Sequence, residues 1–553
     1  MSSNRLLSEE TPDAPEAPSP HLPRRRVERS TERDGLRNRL ELAVLTRGRR
    51  LWSAVQSVKW MRAQVNRRLI DRAASKMPPR PAPFSTRGDF TSWDSLTDRR
   101  YDARHLGPVV REPTGLPPVE RVVELFERPS PAMPEEDLCQ KSTVLFAYFA
   151  QWFTDGFLRS DRPPPGKSPD PRRNNSTHEI DLCQIYGLTP EATGELRAHE
   201  GGLLAFQGDG AEIFPPLLYG SDGKKRFPSI TVARESSFDR SELPYLLAIG
   251  TDTGNTQIGH VMMNTLFLRE HNRLAAQLEQ AYGWSDERLF QTARNINIVM
   301  LIKIVIEDYI NHITPYHFRL SLDEQTKAYA RATWMRPNRM ASEFNLLYRW
   351  HSLIPSQLLA GGRLRPLGET VLKPRFVLEH GLGPLLEEAS RQRAGRVGLF
   401  NTAAELLGAE RASIQKGRDV QLAPYNDYRA FCGFPRVTSF DQISGDPRVR
   451  EGLKSRYGTP DDVEFYVGLF AEDPRPNSVL PSLIGRMVGV DAFSQALTNP
   501  LLAPRVYSPE TFSPLGWREI QRTKTLSDIV NRNVTVGDRP YEVRMTRSGW
   551  TRR

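Results

Sequence analysis

The sequence predicts a mainly α-helical chain built around one large domain, and three observations carry that prediction. Long stretches repeat apolar residues at three- and four-residue steps, most clearly Thr265–Tyr282, Ser285–His312 and Asn401–Lys416. Strand signals are few, the best being Ser229–Ala233 and Phe376–Leu378. No internal repeat, P-loop or GxGxxG turn interrupts the pattern. The 553 residues, 38% hydrophobic and 26% charged, are enough to bury a substantial core.

In chain order, residues 1–35 are polar and Pro-rich and read as a disordered tail. Residues 36–83 form a basic helical region: Leu51, Val55, Val58, Met61, Val65 and Leu69 recur at helical spacing beside Trp52 and Trp60, before a Pro-rich hinge, MPPRPAP, at 77–83. Residues 84–553 form the large domain, with Pro163–Asn175 (PPPGKSPDPRRNN) as an exposed loop.

Charge is concentrated rather than spread. The net charge is +10, and the segment Val44–Lys76 holds nine basic residues against one acid, Asp71. A basic amphipathic helix edged by Trp suits an anionic bilayer surface; an ordinary packed helix with a solvated basic face has the same pattern. No nucleic-acid motif accompanies the charge, so no nucleic-acid partner is expected. No apolar run reaches spanning length: Val144–Phe153 is short, and Lys303 interrupts Val299–Ile306. The first thirty residues lack the apolar centre of a secretory signal. Three scattered cysteines, Cys139, Cys183 and Cys432, do not make a disulfide framework. The expectation is a cytoplasmic, membrane-peripheral protein.

The segment most suggestive of chemistry is Glu343–Pro355, EFNLLYRWHSLIP. On a helix, Tyr348 and His351 project to one side. A phenol beside an imidazole suits one-electron chemistry next to a metal, and equally suits a packed core.

A set of motifs in constant order decides between these readings. TLFLREHNRLA (Thr265–Ala275) resembles the signature helix of the animal-type haem peroxidases. WSDERLFQTAR (Trp284–Arg294), KIVIEDYINHITPYHF (Lys303–Phe318) and EFNLLYRWHSLIP resemble the cyclooxygenase branch, the prostaglandin-endoperoxide synthases. GRRLWSAV (Gly48–Val55), FTSWDSL (Phe90–Leu96), APYNDYRAF (Ala423–Phe431), TSFDQISG (Thr438–Gly445) and VEFYVGL (Val463–Leu469) are similar to that branch in the same order. The resemblance spans roughly 45–534. It implies an animal haem peroxidase-like fold, with the basic helices as membrane-binding elements. It also implies one haem b per subunit, with His351 as the iron's axial ligand, Tyr466 as that histidine's support and Asn345 as a further cofactor contact. Tyr348 matches the tyrosine whose radical abstracts hydrogen from a fatty acid. REHNR (Arg269–Arg273), including His271, is expected to hold helices together.

The pattern departs from the family on the distal side. FAYFAQWFTDGF (Phe146–Phe157) resembles the distal helix, with Gln151 in place but Asp155 where the family has histidine. Peroxide activation needs a group that takes and returns a proton near neutrality. Three readings stay open: Asp155 as substitute acid–base, loss of peroxidase activity with haem retained, or a different histidine such as His178. Thr154 and Thr256 stand where related peroxidases esterify their haem, which implies non-covalent attachment.

For the substrate, the resemblance implies a fatty acid and O₂. Tyr316 matches a channel tyrosine that orients the carboxylate. Ala74 falls at the family's arginine position, with Arg72 and Lys76 beside it, and Arg486 stands near a glutamate position at the channel mouth. An arginine there could grip a carboxylate. Ile310, Thr314 and Phe344 match channel walls, and Ala492 falls near the serine that aspirin acetylates. The implied activity is a fatty-acid dioxygenase of oxylipin formation: oxidised Tyr348 takes a hydrogen from the fatty acid and O₂ traps the carbon radical. Two other classes stay open, a peroxidase or peroxygenase of small donors and a haem-binding protein without peroxidase activity. Members of the branch are commonly dimers, so a homodimer is expected by analogy.

Overall fold

Three short helices open the chain in the computed structural model: α1 (Leu36–Thr46), α2 (Arg49–Ser57) and α3 (Lys59–Ala74). The model describes residues 36–75, 100–109, 115–160, 170–209, 212–322, 329, 331–335, 339–534 and 539–552. The tail 1–35, the hinge 77–83, Lys76, the motif Phe90–Leu96 and most of the loop Pro163–Asn175 lie outside these residues.

The predicted basic stretch breaks twice for local reasons. Gly48 takes a left-handed φ of 75°, which glycine tolerates, and Val58 is extended at φ −97° and ψ 107°. The expected apolar stripe is therefore divided. Trp52 and Val55 are buried against the body, Trp52 meeting Phe318 edge-on at 5.8 Å. Leu51, Val58 and Met61 instead face outward.

The strand β1 (Leu138–Thr143) leads directly into α4 (Val144–Asp155), almost every residue of which is apolar and buried. The longest helix, α5 (Ile258–Tyr282), packs on α4. Trp152 stacks on Phe267 at 4.6 Å and donates its indole N–H to Asn264 Oδ1 at 2.9 Å, so the apolar ring is buried with its polar edge satisfied. Gly283, at φ 56°, ends α5 and turns the chain into α6 (Asp286–Ile304). This helix continues as a π-helical turn, Val305–Ile310, and a last turn, Asn311–Ile313. By length and composition Asp286–Ile313 is able to cross a membrane, which the sequence reading did not anticipate, but the helix is a core element, 83% buried in its apolar window. Lys303, which interrupts it, donates to the Ile520 and Gln521 carbonyls at 2.9 and 2.8 Å.

The second half supplies α7 (Ser342–Leu347), the hairpin β2 (Gln357–Ala360) and β3 (Arg363–Pro366), α8 (Pro374–His380), α9 (Leu382–Arg391) and β4 (Arg393–Gly395). It continues with α10 (Leu407–Asp419), α11 (Phe465–Ala471) and α12 (Ser482–Leu497), and further helices, Pro509–Arg522 and Leu526–Asn533, follow. β4 pairs antiparallel with β1, and β2 with β3 across Gly361–Gly362, whose φ values of 61° and 80° suit a tight hairpin turn.

Both predicted strands are corrected. Phe376–Leu378 lies inside α8, where Pro374 at the first turn presets helical φ. Ser229–Ala233 is a turn followed by irregular chain, not a ladder. The helix predicted over Asn401–Lys416 begins only at Leu407, because the Asn401 amide is drawn to the Asp137 and Arg396 carbonyls at 2.9 and 2.8 Å. REHNR ties helices together as expected. Glu270 is fully buried and accepts from Arg273, Arg532 and Asn533, while His271 bridges the Tyr186 hydroxyl and the Gly202 carbonyl, both at 2.9 Å. All three cysteines are buried and unbridged.

Candidate active site

The Tyr348–His351 segment is not one helix. α7 ends at Leu347, Tyr348 adopts φ −99° and ψ 18°, and His351 begins a separate 3₁₀ turn, His351–Leu353. The two side chains are placed by a break in the chain rather than by i,i+3 spacing. Tyr348 lies edge-on to Phe344 at 5.0 Å and against Trp350 at 4.8 Å.

A buried carboxylate stands beside His351. The His351 Nδ1 lies 3.1 Å from Glu410 Oε1, and the histidine side chain is 18% exposed while the carboxylate is 2% exposed. Glu410 Oε1 also accepts from Thr402 Oγ1 at 2.8 Å, and Oε2 accepts from the Tyr466 hydroxyl at 2.5 Å. The pair is at ion-pair distance without hydrogen-bond geometry, and a carboxylate on the Nδ1 side leaves Nε2 as the free donor atom, as in metal-bound imidazoles. Tyr466 thus reaches His351 through Glu410 and not directly, which refines its expected role. Glu410 itself escaped the sequence reading, because it lies far along the chain on α10 and carries no local motif. The partly open imidazole, with a buried carboxylate 3.1 Å from its second nitrogen, fits a haem iron.

Asn345 is buried and its Oδ1 accepts from Arg349 at 2.5 Å, so its carbonyl is turned to its own segment.

On α4, Gln151 and Asp155 are the two residues that are not buried, and their separation of one turn defines the helix's open face. Gln151 Oε1 accepts from Gln257 at 3.1 Å. Asp155 is not a free base. Its Oδ2 accepts from Arg159 at 2.9 Å and from the Thr253 hydroxyl at 2.5 Å, and Arg159 reaches on to Asp252. These two carboxylates push the buried Arg159 guanidinium up, against the effect of its burial. His178 is engaged by other elements. It is fully buried, accepts from the Met340 N–H at 2.9 Å on Nδ1, and gives its carbonyl to Gln495. His260 is the histidine nearest this network: its Nδ1 lies 3.2 Å from the Thr253 carbonyl, and burial lowers its pKa while Asp155 opposes that shift. Thr154 and Thr256 bond the Ala150 and Thr253 carbonyls at 2.9 and 2.7 Å.

An apolar-walled cavity of about 120 Å³ gathers Ile310, Thr314, Tyr316 and Arg486. Phe344 packs between Tyr348 and Phe157, beside the tyrosine rather than on this cavity, and Ala492 is buried in α12. The Arg486 Nε is buried without a hydrogen-bond partner. Arg475, unmarked in the sequence, lines the same cavity and donates to Ser482 Oγ at 2.6 Å. Burial raises the Tyr316 pKa, Glu41 adds to the shift, and Arg475, Arg486 and Arg72 oppose it, so these five groups share one electrostatic cluster. Arg72 is already ion-paired with Glu41, which weakens its expected part as a carboxylate anchor. Ala74 is fully buried on α3.

Tyr309 lies beside Tyr348, and the next residue, Ile310, lines the cavity. Tyr309 sits on the π-helical turn, stacks on Phe146 at 5.4 Å, and its phenol faces that of Tyr348. Burial and the Asp491 charge push the Tyr348 pKa up, while Tyr309 partly offsets them. Both phenols are therefore held neutral, and removing an electron from Tyr348 requires its proton to leave as well.

Comparison with known proteins identifies the family. Residues 146–543 match the family model described as animal haem peroxidase. Prostaglandin G/H synthase 2 of Equus caballus is 30% identical over 504 residues, 89% of this chain and 80% of that protein. Prostaglandin G/H synthase 1 of Mus musculus is 30% identical over 502 residues, with the same shares covered. In structure, the Oryza sativa fatty acid alpha-dioxygenase superposes with a TM-score of 0.65 at 17% identity, over 85% of this chain and 89% of that one. Peroxidase A from Dictyostelium discoideum superposes with a TM-score of 0.63 at 19% identity, over 84% and 99%. The chain belongs to the animal haem peroxidase family and is a haem-dependent oxidoreductase.

Proposed function

We propose that the chain is a fatty-acid dioxygenase whose oxidant is a radical on Tyr348. The observation that carries this reading is the single π-helical turn that puts Ile310 on the apolar cavity and Tyr309 against the Tyr348 phenol. Bound non-covalently as haem b at His351, the cofactor would supply the one-electron oxidation of the phenol. Glu410 holds the imidazole in register and Tyr466 holds Glu410. Arg486, with Tyr316 beside it, receives the carboxylate of the fatty acid at one end of the cavity. The phenoxyl oxygen takes a hydrogen atom from a substrate carbon and becomes a phenol again. O₂ then adds to the carbon radical, and the resulting peroxyl takes hydrogen back from Tyr348, which restores the radical. Apolar walls keep water from the radical centre.

The engaged Asp155 supports weak peroxide activation at the distal face, since its carboxylate already serves Arg159 and Thr253. α1–α3 support attachment to an anionic membrane from the cytoplasmic side. The segment 36–75 holds six of the nine exposed large apolar side chains among the described residues, five on the helices and Val58 between them, Trp60 being 70% exposed, among exposed Arg47, Arg50, Lys59, Arg67 and Arg68. The test is oxygen uptake with a polyunsaturated acid. Tyr348→Phe should abolish it while guaiacol oxidation persists at the wild-type level. Normal oxygenation by Tyr348→Phe would remove the radical mechanism.

A further inference from the structure

The turn that walls the fatty-acid cavity has a second cavity on its other side. Ile313 and Thr314 face the first; Asn311 and His312 face the second, which is polar and about 480 Å³ in volume. Four cations surround it: Arg49 from α2, Lys141 from β1, Arg319 after the turn, and Arg552 from the segment 546–552. Asp308 is its single carboxylate, and Asp308 Oδ2 already accepts from the Leu526 N–H at 3.1 Å. Among the described residues none of the four cations forms an ion pair.

Their contacts leave donors to spare. Lys141 Nζ, buried, reaches the Thr314 and Asn477 carbonyls, both at 3.0 Å, and lies 4.7 Å from the Trp550 ring. Arg552 Nη2 donates to the Asn311 and Thr314 carbonyls at 2.9 and 3.2 Å, while its Nε is buried without a partner. His312 is satisfied by Ser142 and Thr546 at 2.7 and 2.8 Å and serves as wall.

The cluster also works against itself. Burial pushes Lys141 down, and Arg552 and Arg319 push it further. Burial, then Arg319, lowers Arg552 to about 10. Cations gathered in a partly desolvated cavity repel one another, and an anion of more than one charge relieves that repulsion. A phosphate monoester, with a charge of about −1.5 to −2 and three acceptor oxygens, matches this excess better than one carboxylate. The polar walls give no bed for an acyl chain.

We propose that this cavity is a phosphate-binding site, with Arg319, Arg552 and Lys141 as direct donors and Arg49 closing the α2 side. The phosphate belongs either to a free ion or ester or to a phospholipid headgroup. The haem-loaded full chain separates the two sources. Calorimetry with inorganic phosphate at fixed ionic strength tests the first. Flotation on vesicles containing phosphatidic acid, against vesicles of equal charge containing phosphatidylserine, tests the second. The wild type should bind phosphate saturably or prefer phosphatidic acid. The double variant Arg319→Gln/Arg552→Gln should weaken that binding roughly tenfold or more, or lose the preference. Asp308→Asn keeps every donor and should tighten the same binding severalfold, which guards against a misfolded double variant. Wild type that neither binds phosphate nor distinguishes the two lipids overturns the proposal, as does binding unchanged in both variants.

Discussion

The contact between Glu410 and His351 yields the sharpest prediction about the cofactor. Glu410→Gln keeps the shape and an acceptor for Tyr466 but removes the negative charge 3.1 Å from the His351 Nδ1. Changing such a partner of a metal ligand costs about 1.4–2.8 kcal/mol. Loss of the carboxylate should therefore weaken haem binding by roughly 10- to 100-fold, the range in which outer partners of metal ligands act. The charge favours the ferric state, so its removal should also raise the reduction potential. If the whole energy fell on one oxidation state, the one-electron shift would be about 60–120 mV, so a rise of tens of millivolts is expected. Haem titration by the Soret band and a spectroelectrochemical potential read these effects, with a melting curve to confirm folding. Tyr466→Phe, which frees Oε2 but leaves the histidine contact, should shift both in the same direction by less. Unchanged affinity and potential in Glu410→Gln would refute the proposed link and leave Glu410 a packing residue.

The other predictions use separate parts of the molecule. His351→Ala should abolish the Soret band on reconstitution; a normal band would assign the iron to another ligand. Arg486→Gln should raise KM for long-chain acids by roughly tenfold or more, and Arg72→Gln should raise it less, because Glu41 already neutralises Arg72; equal effects in steady-state kinetics would contradict this order. Asp155→Asn should lower the melting temperature, since the buried Arg159 loses one of its two carboxylates; an unchanged melting curve would mean that Asp252 alone suffices. Burial raises the Asp308 pKa to about 6 from 3.8. Its stabilising protonated form is fully present below pH 3.8 and is lost as pH rises through about 6. Asp308→Asn should therefore gain on the wild type by up to about 3 kcal/mol across that window, and parallel denaturation curves from pH 4 to 7 would refute it.

What the sequence disclosed depended on how local each signal was. His351, Tyr348 and the long helices α5 and α6 were legible because their patterns are short and continuous. The break after Leu347 was not, since EFNLLYRWH satisfies helical spacing as well as it satisfies a helix followed by a 3₁₀ turn. Glu410 and Arg475 meet the site only through tertiary packing, and nothing beside them in the chain marks them; Tyr309 lies within the Lys303–Phe318 motif, but its approach to Tyr348 shows only in the fold. The Phe376–Leu378 strand failed because aromatic and β-branched residues outweighed the helix-starting Pro374. The Gly361–Gly362 pair between Gln357–Ala360 and Arg363–Pro366 is the local signal of that hairpin. At Asp155 the sequence showed the departure from histidine, but only the structure shows the carboxylate bound to Arg159 and Thr253.

The most direct measurement is mass spectrometry of products from a fatty-acid panel incubated with the haem-loaded protein under ¹⁸O₂. A radical on Tyr348 acting on a fatty acid held by Tyr316 and Arg486 predicts that wild type inserts labelled oxygen into a fatty acid and that Tyr348→Phe inserts none. Labelled products from both proteins, or from neither while guaiacol is oxidised, would contradict it.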